Sequence, residues 1–161
     1  MMKLTIFRFT LLASAASLMV ALIAQYAFGL APCELCQIQR IPYGLVIVLS
    51  LLGMIKPGAR FWLVPLIAFI FLVESGIAVY HTAVEKHVVK GPSACTSAVA
   101  PAGESMEDFR KRIESAPAVA CDQPAWEWHG ITMALVNALW SFALAAMALI
   151  IQRSKDAKAA G

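Results

Sequence analysis

Four long apolar stretches divide the chain: Phe9 to Cys33, Ile41 to Ile55, Phe61 to His81, interrupted only by Glu74, and Trp128 to Gln152. None alternates with the period of two that a half-buried strand shows, and a bilayer admits only helices or closed barrels across its core. The pattern therefore predicts an all-α membrane protein, a four-transmembrane-helix bundle in a single domain over 1–161. Its spans are expected near 10–30, 41–55, 61–81 and 129–151. The second is short, rising roughly 22 Å against a hydrocarbon core of about 30 Å. Residues just before Ile41 are then expected at the interface or slightly inside it. A signal peptide is the competing reading of the first stretch, with Lys3 and Arg8 ahead of it and Ala27-Phe28-Gly29 as a loose cleavage site. The stretch exceeds the roughly 7–15 apolar residues such a peptide uses.

Composition agrees with the pattern: of 161 residues 60% are hydrophobic and only 14% charged, well below the roughly 25% charged usual in soluble domains. The net charge of +3 gives no reason to expect a nucleic-acid partner. Its distribution says more. Lys3, Arg8, Lys56, Arg60, Arg153, Lys155 and Lys158 flank one side of the predicted spans, against Arg40, Lys86 and Lys90 on the other. By the positive-inside rule both termini are expected in the cytoplasm. The loops 31–40 and 82–128 then face outward and hold all four cysteines: Cys33 and Cys36 in the first, Cys95 and Cys121 in the second. Within the longer loop, Glu104 to Glu114 reads as a short amphipathic helix capped by Ser105, with Met106, Phe109 and Ile113 on one face. It either lies on the membrane or packs on its own loop. The tail 154–161 is expected to be disordered.

Cys33-Glu-Leu-Cys36 is a C-x-x-C motif, a spacing open to a redox dithiol, half a metal site or a structural disulfide. Haem attachment would need His at position 37, where Gln stands. Zinc shared with Cys95 and Cys121 is disfavoured, because the second pair lacks tight spacing and an oxidising exterior favours disulfides; no metal is expected. Position favours redox chemistry, since a helix start and a nearby cation, Arg40, both populate the attacking thiolate. Arg40 also reads as an interface anchor, and Pro42 marks the first turn of the second span or disturbs it. Electrons taken from a protein dithiol must leave, yet no G-x-G-x-x-G loop or soluble domain holds a nucleotide cofactor. A quinone dissolved in the bilayer is the natural two-electron acceptor, with its head near Arg40. Glu74 and His81, seven residues apart on one helix face, are candidates to carry its protons. Glu74 reads equally as a packing residue and His81 as an interface residue. Gln25 and Asn137 read as interhelical hydrogen-bond partners.

Taken together these residues resemble the bacterial disulfide bond formation protein B (DsbB) family. The resemblance rests on Cys33-x-x-Cys36-x-x-x-Arg40, Tyr80-His81-Thr-Ala-Val-Glu85, Gly91-Pro-Ser-x-Cys95, Cys121-Asp-x-Pro-x-Trp126, and a last span containing Asn137. It implies a bundle in the bacterial inner membrane that reoxidises a periplasmic thioredoxin-fold dithiol oxidase (DsbA-like) and passes electrons to ubiquinone or menaquinone. It further implies that Cys95 forms the mixed disulfide with the partner, that Cys121 resolves it, and that Cys33 and Cys36 reoxidise the second pair. Cys36 would face the quinone, with Arg40 and His81 near its ring. Glu74 belongs to none of these motifs. Two other functions compete: a bundle similar to vitamin K epoxide reductases running in the reducing direction, whose loop order differs, and a non-enzymatic scaffold stapled by static disulfides.

Overall fold

A computed structural model describes residues 4–92, 105–108, 110 and 119–160. Four of its helices are long and apolar enough to cross a membrane. They run in sequence as α1 (Leu4–Tyr26), a short α2 (Glu34–Ile38) leading directly into α3 (Arg40–Ile55), α4 (Arg60–Glu85) and α5 (Met133–Ala160). The fold is the expected four-helix membrane bundle, with one small addition: a two-stranded hairpin of β1 (Glu127–Trp128) and β2 (Ile131–Thr132) before α5.

Helix ends differ from the expected spans for local reasons. α1 stops at Tyr26 rather than continuing to 30, because the chain turns back through Gly29 at φ +68° while Leu30 N–H donates to the Ala24 carbonyl. Residues 34–38, expected in a loop, form α2. Pro42 then falls in the first turn of α3, where its missing N–H would otherwise have reached the Ile38 carbonyl. That missing bond separates α2 from α3. α4 continues one turn past His81 to Glu85 and ends over His87 at φ +55°, with Val88 N–H donating to the Ala83 carbonyl. At the hairpin, His129 and Gly130 both take positive φ, the primed turn that matches strand twist. Thr132 Oγ1 then accepts from Leu135 N–H and caps α5.

The expected disordered tail is corrected by α5, which continues through residue 160. Ala157, Lys158, Ala159 and Ala160 are strong helix formers, and no Gly or Pro interrupts them before Gly161. Of the expected loop helix, Ser105 accepts from Asp108 N–H at 3.2 Å, as an N-cap should; most of its remaining residues lie outside those described.

α4 packs most extensively on α5 and α1 on α3, with α3 against α4 joining the two pairs. The apolar core draws on all four long helices: Ile6 and Phe7, Tyr43 and Val46, Val64, Ile67 and Phe71, Leu144 and Ala148. Small residues let the backbones approach. At Gly53 any Cβ would collide with the Phe7 ring, and Thr10 and Ser50 meet across α1 and α3 at 2.8 Å. The antiparallel order brings the α1–α2 connection and the segment before α5 to the same end of the bundle, where Cys33, Leu35, Val84 and Cys121 form a second buried cluster.

Candidate functional site

Cys33 is the N-cap of α2, with extended backbone, and its sulfur accepts from Cys36 N–H at 3.4 Å. One turn of helix thus folds the C-x-x-C pair onto itself: the Cys33 thiol donates to Cys36 Sγ at 3.2 Å. Cys33 is buried and Cys36 partly exposed. The bond to Cys36, and then burial, push the Cys33 thiol up to about 12, against a lowering contact from His81. Cys33 is therefore the proton-holding member of the pair.

His81 reaches this pair from α4. It is almost fully buried, with Nε2 3.5 Å from Cys33 Sγ and Nδ1 3.4 Å from Gln39 Oε1. The two ring nitrogens thus face different partners, Nε2 the Cys33 sulfur and Nδ1 the Gln39 carboxamide. Glu85, four residues on along α4, places Oε1 3.7 Å from Nε2. Cys33 Sγ, Cys36 Sγ and the His81 ring lie close enough together to hold a metal ion. Cys121 is fully buried in the same apolar cluster, with Cys36 and Val119 against it. An exposed ion pair, Lys86 to Glu127 at 3.0 Å, links the end of α4 to the hairpin that follows the Cys121 segment. Three of the four cysteines are thus gathered at one end of the bundle. Cys95 lies outside the described residues.

Arg40 opens α3, directly after the C-x-x-C helix. Among the described residues its guanidinium donates to Gln25 Oε1 on α1 at 2.8 Å rather than to the Cys36 sulfur four residues before it. Glu74 is fully buried two turns below His81 and accepts from Asn137 Nδ2 at 2.6 Å. Tyr43 O–H donates to Asn137 Oδ1, also at 2.6 Å. Asn137 therefore joins α3, α4 and α5, and Gln25 joins α1 to α3, the interhelical roles expected of them. Glu74 does not touch the cysteine site directly.

Gln39 and Tyr43 escaped the sequence reading, and Glu85 entered it only as the end of a motif, with no role of its own. Glu85 had a usable signal, since a residue four after His81 on one helix must stack over it. Gln39 and Tyr43 had none, because their partners come from helices distant in sequence.

Comparison with known proteins agrees with a multi-pass membrane bundle. An uncharacterised protein of Rickettsia prowazekii (strain Madrid E) is 32% identical over 129 residues, covering 80% of this chain and 75% of its own. No solved structure matches. The family model for disulfide bond formation protein DsbB matches residues 3–151. The chain is thus a member of the DsbB family of disulfide-forming, multi-pass membrane proteins.

Proposed function

We propose that this protein is a protein-dithiol:quinone oxidoreductase of the bacterial inner membrane, with both termini cytoplasmic and its cysteines periplasmic. It reoxidises a thioredoxin-fold dithiol oxidase of the DsbA type and delivers the electrons to ubiquinone or menaquinone. The observation that carries this reading is the gathering of Cys33, Cys36 and Cys121 at one membrane end, with His81 against the Cys33 sulfur.

The exchange balances in three steps. The partner's two thiols become a disulfide as a Cys95–Cys121 disulfide opens. One partner thiolate attacks Cys95 to form the mixed disulfide and releases Cys121 as a thiol. The partner's second thiol, rather than Cys121, then displaces Cys95, since attack by Cys121 would return the partner reduced. The Cys95–Cys121 bond then re-forms as a Cys33–Cys36 disulfide opens. Two electrons and two protons finally leave the Cys33/Cys36 dithiol for the acceptor. The burial of Cys121 beside the C-x-x-C pair supports the middle step, which requires the two pairs to meet.

The residues at this end also fit a quinone. Cys36 is the accessible sulfur, and the half-buried Arg40 keeps guanidinium N–H groups beyond the one given to Gln25, donors suited to ring carbonyl oxygens. When bound, a quinone supplies the two-electron acceptor. Arg40 would orient its oxygens and favour negative charge there, and His81 can hold or release a proton at Nε2. Glu74, bonded to Asn137, serves chiefly to join helices in this reading. A relay through it would require a titratable carboxyl, which Glu74→Gln removes.

The test is the thiol state of the four cysteines during quinone depletion. Both pairs should accumulate as thiols while a reduced partner is supplied, and reoxidise when quinone is restored. Cysteines whose state ignores quinone would mark the chain as a static, disulfide-stapled scaffold. Full partner oxidation by Cys95→Ser would overturn the route.

A further inference from the structure

We propose that Cys33, Cys36, His81 and Glu85 form, whenever the two thiols are reduced, a tetrahedral site for a thiophilic divalent cation such as Zn2+. Occupancy of that site takes the pair out of disulfide exchange. This departs from the expectation of no metal. The binding itself stands on geometry alone, and only its effect on turnover rests on the redox reading above.

Bond lengths of about 2.3 Å to sulfur and about 2.0–2.2 Å to imidazole nitrogen and carboxylate oxygen fix what a tetrahedral ion demands of its ligands. Pairs must stand about 3.8 Å apart for two sulfurs, about 3.5 Å for sulfur and nitrogen, and about 3.4 Å for nitrogen and oxygen. The structure holds Cys33 Sγ to Cys36 Sγ at 3.2 Å, Cys33 Sγ to His81 Nε2 at 3.5 Å, and His81 Nε2 to Glu85 Oε1 at 3.7 Å. The two sulfurs and the imidazole already lie within 4.8 Å of one another, whereas the Glu85 carboxylate stands beside His81 outside that group. The sulfur pair must widen by about half an ångström and the carboxylate must turn toward the sulfurs, changes of side-chain rotamer rather than of backbone. The orientation of the ring is already that of a ligand. Nε2 points at the sulfurs while Nδ1 stands 3.4 Å from Gln39 Oε1, where outer-shell acceptors stand at zinc-bound histidines.

Glu85 supplies independent support. Its side chain is only 5% exposed, and Oε2 is buried with no hydrogen-bond partner among the described residues. A buried carboxylate oxygen left unpaired is costly, and a cation is the partner that removes the cost. His81 and Glu85 are four apart on α4, so one rigid helix face presents both, while α2 and its cap present both sulfurs. Coordination replaces the two thiol protons with the metal and releases them to water, with no change of oxidation state. A Cys33–Cys36 disulfide has no thiolate to offer, so binding is confined to the reduced pair.

Cobalt(II) is the probe, because thiolate ligation gives it a charge-transfer absorption independent of turnover. The full chain, reduced with a phosphine in detergent, should take up one Co2+ with that band and lose it to added Zn2+, whereas the oxidised chain should bind none. A Cys95→Ser/Cys121→Ser double variant should retain one equivalent and Cys33→Ser should lose the band. Glu85→Gln, which preserves volume, should weaken affinity at least tenfold while keeping the thiolate band. Equal uptake by oxidised and reduced chains, a band that survives Cys33→Ser, or unchanged affinity in Glu85→Gln would overturn the site. Quinone-linked thiol oxidation is scored separately without metal, so failure of the redox reading leaves a positive Co2+ titration intact.

Discussion

The two ends of the bundle bury the same faces of the same helices with opposite chemistry. Along α4 the inward stripe runs Val64, Ile67, Ala68, Phe71, and then Glu74, Ser75, Ala78, His81, Val84 and Glu85. Its first half meets Phe7, Val46 and Leu144 in an apolar core; its second meets Asn137, Gln39 and the cysteines. Lipid chains are as apolar as leucine, so hydrophobicity does not itself drive these helices together. The apolar end is specified by close fit, such as Phe7 over Gly53. The other end keeps ionisable groups that membranes retain only where they pair or act. One end can thus be altered in stability without loss of chemistry, and the other in chemistry with little loss of stability.

The sharpest break of that contrast is Cys33→Ser. Turnover should fall to background, the Cys95/Cys121 pair should accumulate reduced in thiol-trapping gels, and the thermal midpoint should stay close to that of the parent. At the opposite end, Gly53→Ala drives a methyl into the Phe7 ring. It should cost about 1–3 kcal/mol in detergent unfolding, the usual range for overpacking, while the molecules that remain folded oxidise a partner at the parent rate. A loss of activity per folded molecule would show that the two ends are not separable.

Arg40→Lys tests the boundary between them. It keeps the charge but loses the planar fork that reaches Gln25 and that, in the proposed reading, would hold a quinone oxygen at the same time. Quinone-dependent turnover should drop about tenfold, while a single round of disulfide exchange, followed by rapid acid quench, should be unaffected. An unchanged quinone dependence would reduce Arg40 to an anchor on α1. The smallest expected effect is that of Glu74→Gln, which retains an acceptor for Asn137 and should leave rate and pH profile nearly unchanged. Glu74→Leu strands the half-buried Asn137 amide and should cost about 1 kcal/mol. A Glu74→Gln protein with slowed turnover and an altered pH profile would instead make this carboxyl a proton relay and extend the chemical end by two turns.

How much of this was legible beforehand depended on whether a signal was local. The four helices were readable because span length and the absence of period-two alternation are properties of contiguous residues. The C-x-x-C pair was readable because a single helical turn brings Cys33 and Cys36 together. Element ends were less so. The break at Gln39 depends on Pro42 meeting Ile38, and the continuation of α5 covers residues expected to form a tail.

What sequence by itself determined is therefore the set of helices, their order, and the presence of a dithiol at a helix start, since each follows from backbone hydrogen bonding within a segment and from the cost of exposing it to lipid. Only tertiary structure decided that His81, 48 residues away, faces Cys33, that Arg40 turns to Gln25, and that Asn137 stands between Tyr43 and Glu74. Those choices depend on how four nearly uniform apolar cylinders rotate about their axes. That rotation is set by small residues in contact and by a few buried polar atoms seeking partners, and no single helix contains the information.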